Sequence, residues 1–529
     1  MFPQIKKITL TLFLLLRFFY VSQAQPTWDN PSLKNWPKEI TEISVTSSAD
    51  NSQQRALLFS VKNKKEKRPL IVSLHTWSGD YLQNDPQVKE AIDKDYYYVH
   101  PDFRGPNLRK EATGSPLVIS DIEDIIRYLI KTENVDPNEI HIVGVSGGGY
   151  ATLLCYNRLK IKVKSFSAWV PISDLQSWYY ETQSRHLPYT EHILKSTSDG
   201  KNPDFVEMRK RSPLFDNLKG INVQKSDLQI FAGVNDGYTG SVPITHAINF
   251  YNKLAQRKSE KVSDRETIKL LTQRQIPEAD LGFLEGRKVY LHKKLGKVSL
   301  TLFDGTHEQL TKVALSLLPI DNQKVSAFSE SILTIGPSNE YAADSWVNQL
   351  PGKLPFSNIV NYSIPGNTCG FDNLGNKKLN TISQIDSLVK LGNAKNYGKP
   401  FKYLAIALGT NDCKAIFNED FEKIKENYQN LIEKLKTSDL FQKDYSQFIL
   451  MTPPPIDHTK AIEKYNEGNA CEQKLNASIE NFCKKENAVF INSYEILIQN
   501  LTENTTDGVH LTTPAQSLIT ELLIKKLEK

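Results

Sequence analysis

The amino-acid sequence predicts an α/β protein built from two domains. The chain has 529 residues, which is more than a single hydrophobic core usually serves. Apolar runs typical of buried strands alternate with segments of helical periodicity, first across residues 25–318 and again across residues 324–529. Between these blocks, the stretch 319–323 breaks the pattern with a proline and polar residues. We therefore expect an α/β domain on each side of a short linker.

The first block should begin with a hairpin, from residues 43–45 and 57–61, and continue as a mostly parallel sheet. Its predicted strands are 69–74, 96–100, 140–143, 165–170, 228–231 and 299–303. Helices are expected over 118–130, 150–159, 244–254 and 308–317, and the charged stretch 255–297 has a helix-like pattern. The second block has predicted strands 332–335, 359–362, 403–408, 448–451 and 489–491, followed by a last helix from about residue 514.

The first 24 residues have the pattern of a secretory signal peptide. Lys6 and Lys7 precede an apolar run, and residues 22–24 supply the small side chains that a signal peptidase requires. A membrane anchor is the alternative, but the run is shorter than the roughly 20 residues that a span needs, and Arg17 interrupts it. We expect a secreted or periplasmic protein without stable membrane insertion.

Charge and composition narrow the class of partner. The formal net charge is +5, and three of the positive charges lie in the leader, so the remainder is close to neutral. Such a balance does not call for nucleic acid. The sequence shows neither the ligand spacing of a metal site nor a cofactor-binding loop. Neither a metal, a cofactor nor an obligate protein partner is therefore expected.

The turn Gly144–Gly148 joins a predicted strand to a predicted helix and places Ser146 at its apex. This pattern is typical of a nucleophile elbow, in which glycines leave room for a strained serine. The serine needs a base, and the base needs an acid to orient it. Asp236 and His307 each follow a late predicted strand, in the order expected for this elbow. His246 competes as the base, but it falls within a predicted helix.

An oxyanion at this site needs N–H donors that are already in place. One candidate is the backbone N–H of Gly147, directly after the nucleophile. The other should come from the loop after the strand that ends near His75. Trp77 is the preferred donor in that loop, and Thr76 is the alternative.

Residues 174–215 follow the strand after the elbow, where a lid would lie, and they are rich in aromatic side chains. We expect Trp178 and Tyr179 to line the entrance to the Ser146 site and to contact the substrate. The alternative is that these rings pack the lid onto the body of the domain, since aromatic side chains bury large areas wherever they lie.

Five features together resemble the prolyl-oligopeptidase-like branch of the α/β hydrolases, across about residues 60–318. They are the segments 75–79 and 100–105, the elbow at 144–148, Asp236 and His307. That branch includes carbohydrate esterases as well as peptidases. The resemblance implies a serine hydrolase with Ser146, Asp236 and His307 as its triad. No propeller domain precedes the region, which weakens the peptidase interpretation.

Four short motifs of the second block resemble the SGNH (GDSL) hydrolases, a flavodoxin-like three-layer fold, across about residues 324–529. They are Gly336-Pro-Ser338, Gly366-Asn367, Gly409-Thr-Asn-Asp412 and Asp507-Gly-Val-His510. Each follows a predicted strand or precedes a helix. One departure is that Pro337 stands where the family usually has aspartate, which removes an N–H and fixes φ at the turn.

The resemblance to the SGNH hydrolases implies a second set of catalytic residues. Ser338 would be the nucleophile, and His510 would be the base that Asp507 orients. The backbone N–H of Gly366 and the side-chain amide of Asn411 would be the oxyanion donors. An asparagine amide can fill that role because it carries two N–H groups.

The five cysteines are too few for a disulfide scaffold, and their odd number leaves at least one thiol free. Cys369 and Cys413 follow two loops of the predicted second site, and they could form a disulfide in an oxidising compartment. Two separate buried thiols are the alternative.

Together, these patterns predict a secreted two-domain serine esterase. It would remove acyl groups from polysaccharides or oligosaccharides, with acetyl as the first candidate and hydroxycinnamoyl as a second. Two alternatives remain at this point. One is a serine peptidase of the prolyl-oligopeptidase type with an appended esterase domain, and the other is a glycan-binding protein with inactive sites.

Overall fold

The computed structural model describes residues 32–528, apart from residues 276, 278, 322, 324, 325 and 419. The predicted signal peptide therefore lies outside the described residues. The chain divides into two compact units, of which one ends at Ser226 and the other begins at Asp227. The predicted linker at 319–323 falls within the second unit and stays a prediction.

The first unit contains six neighbouring strands in the order β1-β2-β4-β3-β5-β6. The β1–β2 and β2–β4 pairs are antiparallel, which confirms the leading hairpin, and the β3–β4, β3–β5 and β5–β6 pairs are parallel. The strands are β1 Thr41–Thr46, β2 Gln53–Phe59, β3 Arg68–Leu74, β4 Tyr97–Pro101, β5 Val135–Val145 and β6 Ser165–Trp169. The helices are Gln87–Asp93, Pro116–Thr132, Gly147–Arg158, Leu175–Ser184, Tyr189–Thr197 and Phe205–Arg211.

The second unit begins with four neighbouring strands in the order β7-β10-β9-β8. They are β7 Asp227–Gly233, β8 Phe283–Leu284, β9 Arg287–Leu295 and β10 Val298–Phe303. β7 and β10 run parallel and in register, with Gly233 opposite Phe303, so the loops that follow them leave the same edge of the sheet. Those loops carry Asp236 and His307.

Two expectations for this region are wrong. The stretch 255–297 was expected to be helix-like. It contains the helix Asp264–Thr272, but its second half forms the strands β8 and β9. Three lysines and one arginine in β9 concealed the period of two that buries Val289 and Leu291 against the sheet. The helix expected over 308–317 is instead a series of turns.

A separate five-stranded sheet follows in the order β12-β11-β13-β14-β15, and every pair in it is parallel. Its strands are β11 Ser331–Gly336, β12 Asn358–Ser363, β13 Tyr403–Ile406, β14 Gln447–Met451 and β15 Val489–Ile491. Successive residues enter opposite cores. Leu333 and Ile335 pack into one hydrophobic cluster, and Ile332 into another. Burial on both faces explains why these strands read as continuous apolar runs.

The remaining helices of the second unit are Thr245–Leu254, Ser338–Tyr341, Trp346–Lys353, Ile385–Lys395, Phe421–Lys436, Gly468–Glu486, Ser493–Ile498, Leu501–Asn504 and Thr513–Leu527. Across the part of the chain that the structure describes, no helix is both long and apolar enough to cross a bilayer. Within the same residues, no group of three or more His, Cys, Asp or Glu side chains is arranged to hold a metal ion.

The possible Cys369–Cys413 disulfide is not the one that forms. Cys413 pairs with Cys471, in the helix Gly468–Glu486, and the sequence separation is 58 residues. Cys155, Cys369 and Cys483 are free and buried. The disulfide joins the loop that carries Asn411 to a helix, because Cys413 lies two residues after that asparagine.

Replacing both Cys413 and Cys471 with serine should lower the free energy of unfolding by about 2–4 kcal/mol, since the crosslink limits the freedom of the unfolded chain. Denaturant unfolding with and without reductant measures this. Reductant should destabilise the natural chain and leave the double variant unchanged. Equal stability of the two proteins under oxidising conditions would contradict the stabilising role.

Candidate active sites

Ser146 lies in a strained turn between two regular elements. β5 ends at Val145, and the helix Gly147–Arg158 begins directly after the serine. The serine has φ 58° and ψ −116°, a backbone conformation that residues other than glycine rarely adopt. Its N–H donates to the carbonyl of Trp169 on the neighbouring strand, at 2.9 Å. A Cβ added at Gly148 would lie 2.1 Å from the carbonyl oxygen of Leu74, so the turn needs glycine there.

The two predicted oxyanion donors of this site lie close together. A Cβ on Gly147 would be only 2.3 Å from the backbone nitrogen of Trp77. The carbonyl of Trp77 accepts from both the N–H and the side-chain amide of Asn107, at 2.9 and 3.2 Å, which holds the loop in place. The N–H of Thr76 already donates to Gln83 Oε1 at 2.8 Å. This contact favours Trp77 over Thr76 as the second donor.

Asp236 and His307 form an oriented acid–base pair. The Nδ1 of His307 is 2.7 Å from Asp236 Oδ2. The other oxygen of the buried carboxylate accepts from the N–H groups of Gly237 and Val242, at 2.9 and 3.0 Å. His246, the competing base, is buried within the helix Thr245–Leu254. The geometry favours His307 over His246. That His307 acts as the base for Ser146 stays a prediction.

A residue far along the chain supports the loop that carries His307. The hydroxyl of Tyr397 donates to Asp304 Oδ2 at 2.7 Å, three residues before the histidine. The carbonyl of Gly305 accepts from the N–H of Asn235, in the loop of Asp236, at 2.9 Å. No local pattern points to Tyr397, because its partner lies in the other predicted domain.

The structure places the predicted substrate-binding aromatics mostly in the interior. Trp178 is 1% exposed, and its ring packs edge-on against Trp77 at 4.7 Å and stacks on Tyr189 at 5.0 Å. Tyr179 is buried as well. This arrangement favours the packing alternative, in which Trp178 supports the loop of Trp77, a predicted oxyanion donor. Tyr180 is the neighbouring aromatic that solvent reaches, with 49% of its surface exposed.

The second candidate site is built around a short Asp-x-x-His turn. The Nδ1 of His510 is 2.7 Å from Asp507 Oδ2, and Asp507 Oδ1 accepts from the N–H groups of Val509 and His510 at 3.0 and 2.8 Å. Burial raises the pKa of Asp507, but these hydrogen bonds and the His510 ring outweigh it and lower the pKa to about 2. The carboxylate is therefore ionised at neutral pH and can orient the imidazole.

Asn339, the residue after the predicted nucleophile, connects the Ser338 turn to the loop of His510, the predicted base. Its side-chain amide donates to the carbonyl of Val509 at 3.1 Å and accepts from the N–H of Leu511 at 2.9 Å. These are the residues on either side of His510. Ser338 itself begins the helix Ser338–Tyr341, with Pro337 at φ −90° before it. No sequence motif points to Asn339, because its partners lie 170 and 172 residues away.

The predicted oxyanion donors of the second site also meet. Pro365 and Gly366 occupy the centre of a turn that Asn367 closes by donating its N–H to Ile364 at 2.9 Å. Gly366 has φ 86°, as the third position of a type II turn requires. The Nδ2 of Asn411 donates to the carbonyl of Asn367 at 3.1 Å. The side-chain amide and the Gly366 turn therefore lie side by side.

Two family models match the chain. Residues 87–266 match the prolyl oligopeptidase family, and residues 331–517 match the GDSL-like lipase/acylhydrolase family. Both are families of serine hydrolases, which supports the predicted serine hydrolase class. It has an N-terminal prolyl-oligopeptidase-like region and a C-terminal GDSL-like region, as the motifs predicted. The predicted fold class, an α/β-hydrolase sheet followed by a GDSL-type domain, is confirmed.

Several solved peptidase structures are similar to part of the chain. An acylaminoacyl peptidase in complex with Z-Gly-Gly-Phe-chloromethyl ketone is 22% identical, with a TM-score of 0.34, over 41% of this chain and 34% of that one. Pyrococcus horikoshii acylaminoacyl peptidase is 20% identical, with a TM-score of 0.35, over 42% of this chain and 36% of that one. Oligopeptidase B from Leishmania major is 14% identical, with a TM-score of 0.36, over 51% of this chain and 34% of that one. The chain thus spans about a third of the length of these peptidases. No curated protein matches it by sequence.

Replacing Ser146 or His307 with alanine should lower hydrolysis of one substrate class by about a thousandfold or more, as loss of a triad member does. The matched control is His246→Ala, which removes the buried helical histidine and should leave most of that hydrolysis intact. Steady-state kinetics on esters and peptides would measure this. If His246→Ala were the more damaging change, His307 would not be the base.

Proposed function

We propose that the chain is a secreted or periplasmic esterase with two serine sites, acting on acylated polysaccharides or oligosaccharides. The Ser338 site would remove acetyl groups. The Ser146 site would remove a second acyl type, for which hydroxycinnamoyl is the candidate. Both assignments are finer than the serine hydrolase class that the family matches support.

The observation that carries this proposal is the exposure of the Asp507–His510 pair. The two side chains are 56% and 50% exposed, although their facing atoms are only 2.7 Å apart. An oriented base at the surface can reach an ester on a bulky or polymeric molecule, which need not enter a closed cavity. The GDSL-like match over residues 331–517 supports the acylhydrolase part of the proposal.

In their predicted roles, the residues of this site would cleave an ester in two steps. The Oγ of Ser338 would attack the carbonyl carbon while Nε2 of His510 takes its proton. The Gly366 N–H and the Asn411 amide would stabilise the negative oxygen that develops. The bond between the carbonyl carbon and the sugar oxygen would then break as His510 returns the proton to that oxygen, which leaves an acyl-serine and a free sugar hydroxyl. Attack by water, with His510 again as the base, would release the acid and restore Ser338.

A peptidase at the Ser146 site is the second candidate, because residues 87–266 match the prolyl oligopeptidase family. The nucleophile elbow and an oriented histidine serve amide as well as ester substrates. Binding without catalysis fits less well. It would not require two aspartate–histidine pairs, each with a distance of 2.7 Å between the facing atoms.

Three variants, Ser146→Ala, Ser338→Ala and the double variant, should separate the two sites. On acetylated oligosaccharides, Ser338→Ala should lose release of acetate by about a thousandfold or more, and Ser146→Ala should retain it. Hydroxycinnamate esters should show the reverse, and the double variant should cleave neither substrate. Unchanged melting temperatures would show that each variant is folded.

Other outcomes of this experiment point elsewhere. Normal release of acetate by Ser338→Ala would overturn the assignment of acetyl groups to that site. Loss of the same activity in both single variants would mean that the two sites act together on one substrate. Cleavage of prolyl peptides that depends on Ser146, without ester cleavage, would establish the peptidase candidate.

A further inference from the structure

We propose that Lys414 is a positioning residue of the Ser338 site, and that it holds the Gly366 oxyanion donor in place through Asn373. The proposal rests on the proposed function, because it requires an esterase that acts at Ser338. Neither Lys414 nor Asn373 belongs to the motifs of the predicted site, and both side chains are buried. A buried ammonium is costly unless its contacts offset the loss of water.

A chain of two hydrogen bonds leads from the lysine to the donor. The Nζ of Lys414 donates to Asn373 Oδ1 at 3.2 Å, and Asn373 Nδ2 donates to the carbonyl of Gly366 at 2.6 Å. The ammonium can only donate and the carbonyl can only accept, so the two partners fix the orientation of the Asn373 amide. Loss of the lysine would therefore release the amide to rotate.

The contact with Asn373 gives the peptide group between Gly366 and Asn367 a second hydrogen bond. On one edge, the N–H of Asn367 donates to the carbonyl of Ile364 at 2.9 Å. On the other edge, the carbonyl of Gly366 accepts from Asn373. A peptide group bonded on both edges is held against rotation, and this one follows directly on the predicted donor, the N–H of Gly366. The direction of that N–H is thereby held too.

Lys414 also contacts Tyr465, whose hydroxyl lies next to the other predicted oxyanion donor, Asn411. The hydroxyl of Tyr465 lies 3.4 Å from Asn411 Oδ1, toward which it can donate. The Nζ of Lys414 lies 5.7 Å from the centroid of the Tyr465 ring, within the range of a cation–π contact. Lys464 contacts that ring as well, at 5.2 Å, but its side chain is exposed. Of these two lysines, Lys414 is the one bonded to Asn373.

The lysine is charged at neutral pH. Burial, and then repulsion from the Lys464 ammonium, lowers the pKa of Lys414 to about 8, while the Asp412 carboxyl acts in the opposite sense. A positive charge therefore lies two hydrogen bonds from the Gly366 peptide, next to the predicted oxyanion donor. Preorganised charges and dipoles of this kind stabilise the transition state more than the bound substrate.

The test uses the full chain with Ser146→Ala, so that hydrolysis of p-nitrophenyl acetate reports on Ser338. Lys414→Met and Asn373→Asp should each lower kcat by at least about tenfold, with KM within about twofold, because the contact acts in the transition state. The matched control is Lys464→Met, which removes the exposed lysine from the same tyrosine ring and should leave kcat unchanged. Asn373→Asp keeps a partner for the buried ammonium, so it tests the Gly366 contact even if Lys414→Met does not fold.

Hydrogen exchange of residues 364–375, followed by mass spectrometry, tests the positioning without catalysis. Exchange there should rise in Lys414→Met and in Asn373→Asp, and not in Lys464→Met. If exchange responds but Ser338 hydrolyses no ester, the proposed function is wrong, and only the structural part of the proposal stands, namely that Lys414 holds the Gly366 turn through Asn373. If Ser338 hydrolyses the ester and both variants keep the parent kcat and exchange, the positioning role is overturned.

Discussion

One interaction recurs at both sites, a hydrogen bond between an aspartate carboxylate and a histidine ring, with 2.7 Å between the atoms. Without it, an imidazole next to a serine can rotate, and neither its tautomer nor its direction is fixed. The rest of each site serves to place this pair. At the first site, 71 residues separate Asp236 from His307. The parallel pairing of β7 with β10 brings their loops to one edge of the sheet.

At the second site, the pair needs no sheet, because Asp507 and His510 are three residues apart in one turn. Tertiary structure is needed there to bring the pair to Ser338, the predicted nucleophile. Asn339, the next residue, does this by forming hydrogen bonds with the residues on both sides of His510. The two solutions also differ in exposure. The side chain of His307 is 21% exposed, against 50% for His510. The more open base suits a substrate that docks at the surface.

Much of this arrangement could be predicted from the sequence. The elbow at Ser146 and the four motifs of the second site are local patterns, and their glycines and turn residues act through backbone geometry. Buried parallel strands such as β11 stand out because both faces are apolar. β9 was missed because its charged side chains resemble those of a solvated helix.

The supporting residues could not be predicted in the same way. Asn339, Tyr397 and Lys414 each act through partners that are distant in sequence, so no local spacing reveals them. The pairing of Cys413 with Cys471, rather than with Cys369, likewise depends on where a helix packs against a loop. The predicted substrate role of Trp178 had a packing alternative that periodicity could not decide, and burial favours that alternative.

The most direct test of two working serine sites is covalent labelling with a fluorophosphonate, which reacts with activated serines, followed by intact and peptide mass spectrometry. Two working sites should give two adducts per chain, on Ser146 and Ser338. The variants Ser146→Ala and Ser338→Ala should each carry a single adduct on the remaining serine. A folded chain that takes up no label, or one adduct only, would contradict the presence of two activated nucleophiles.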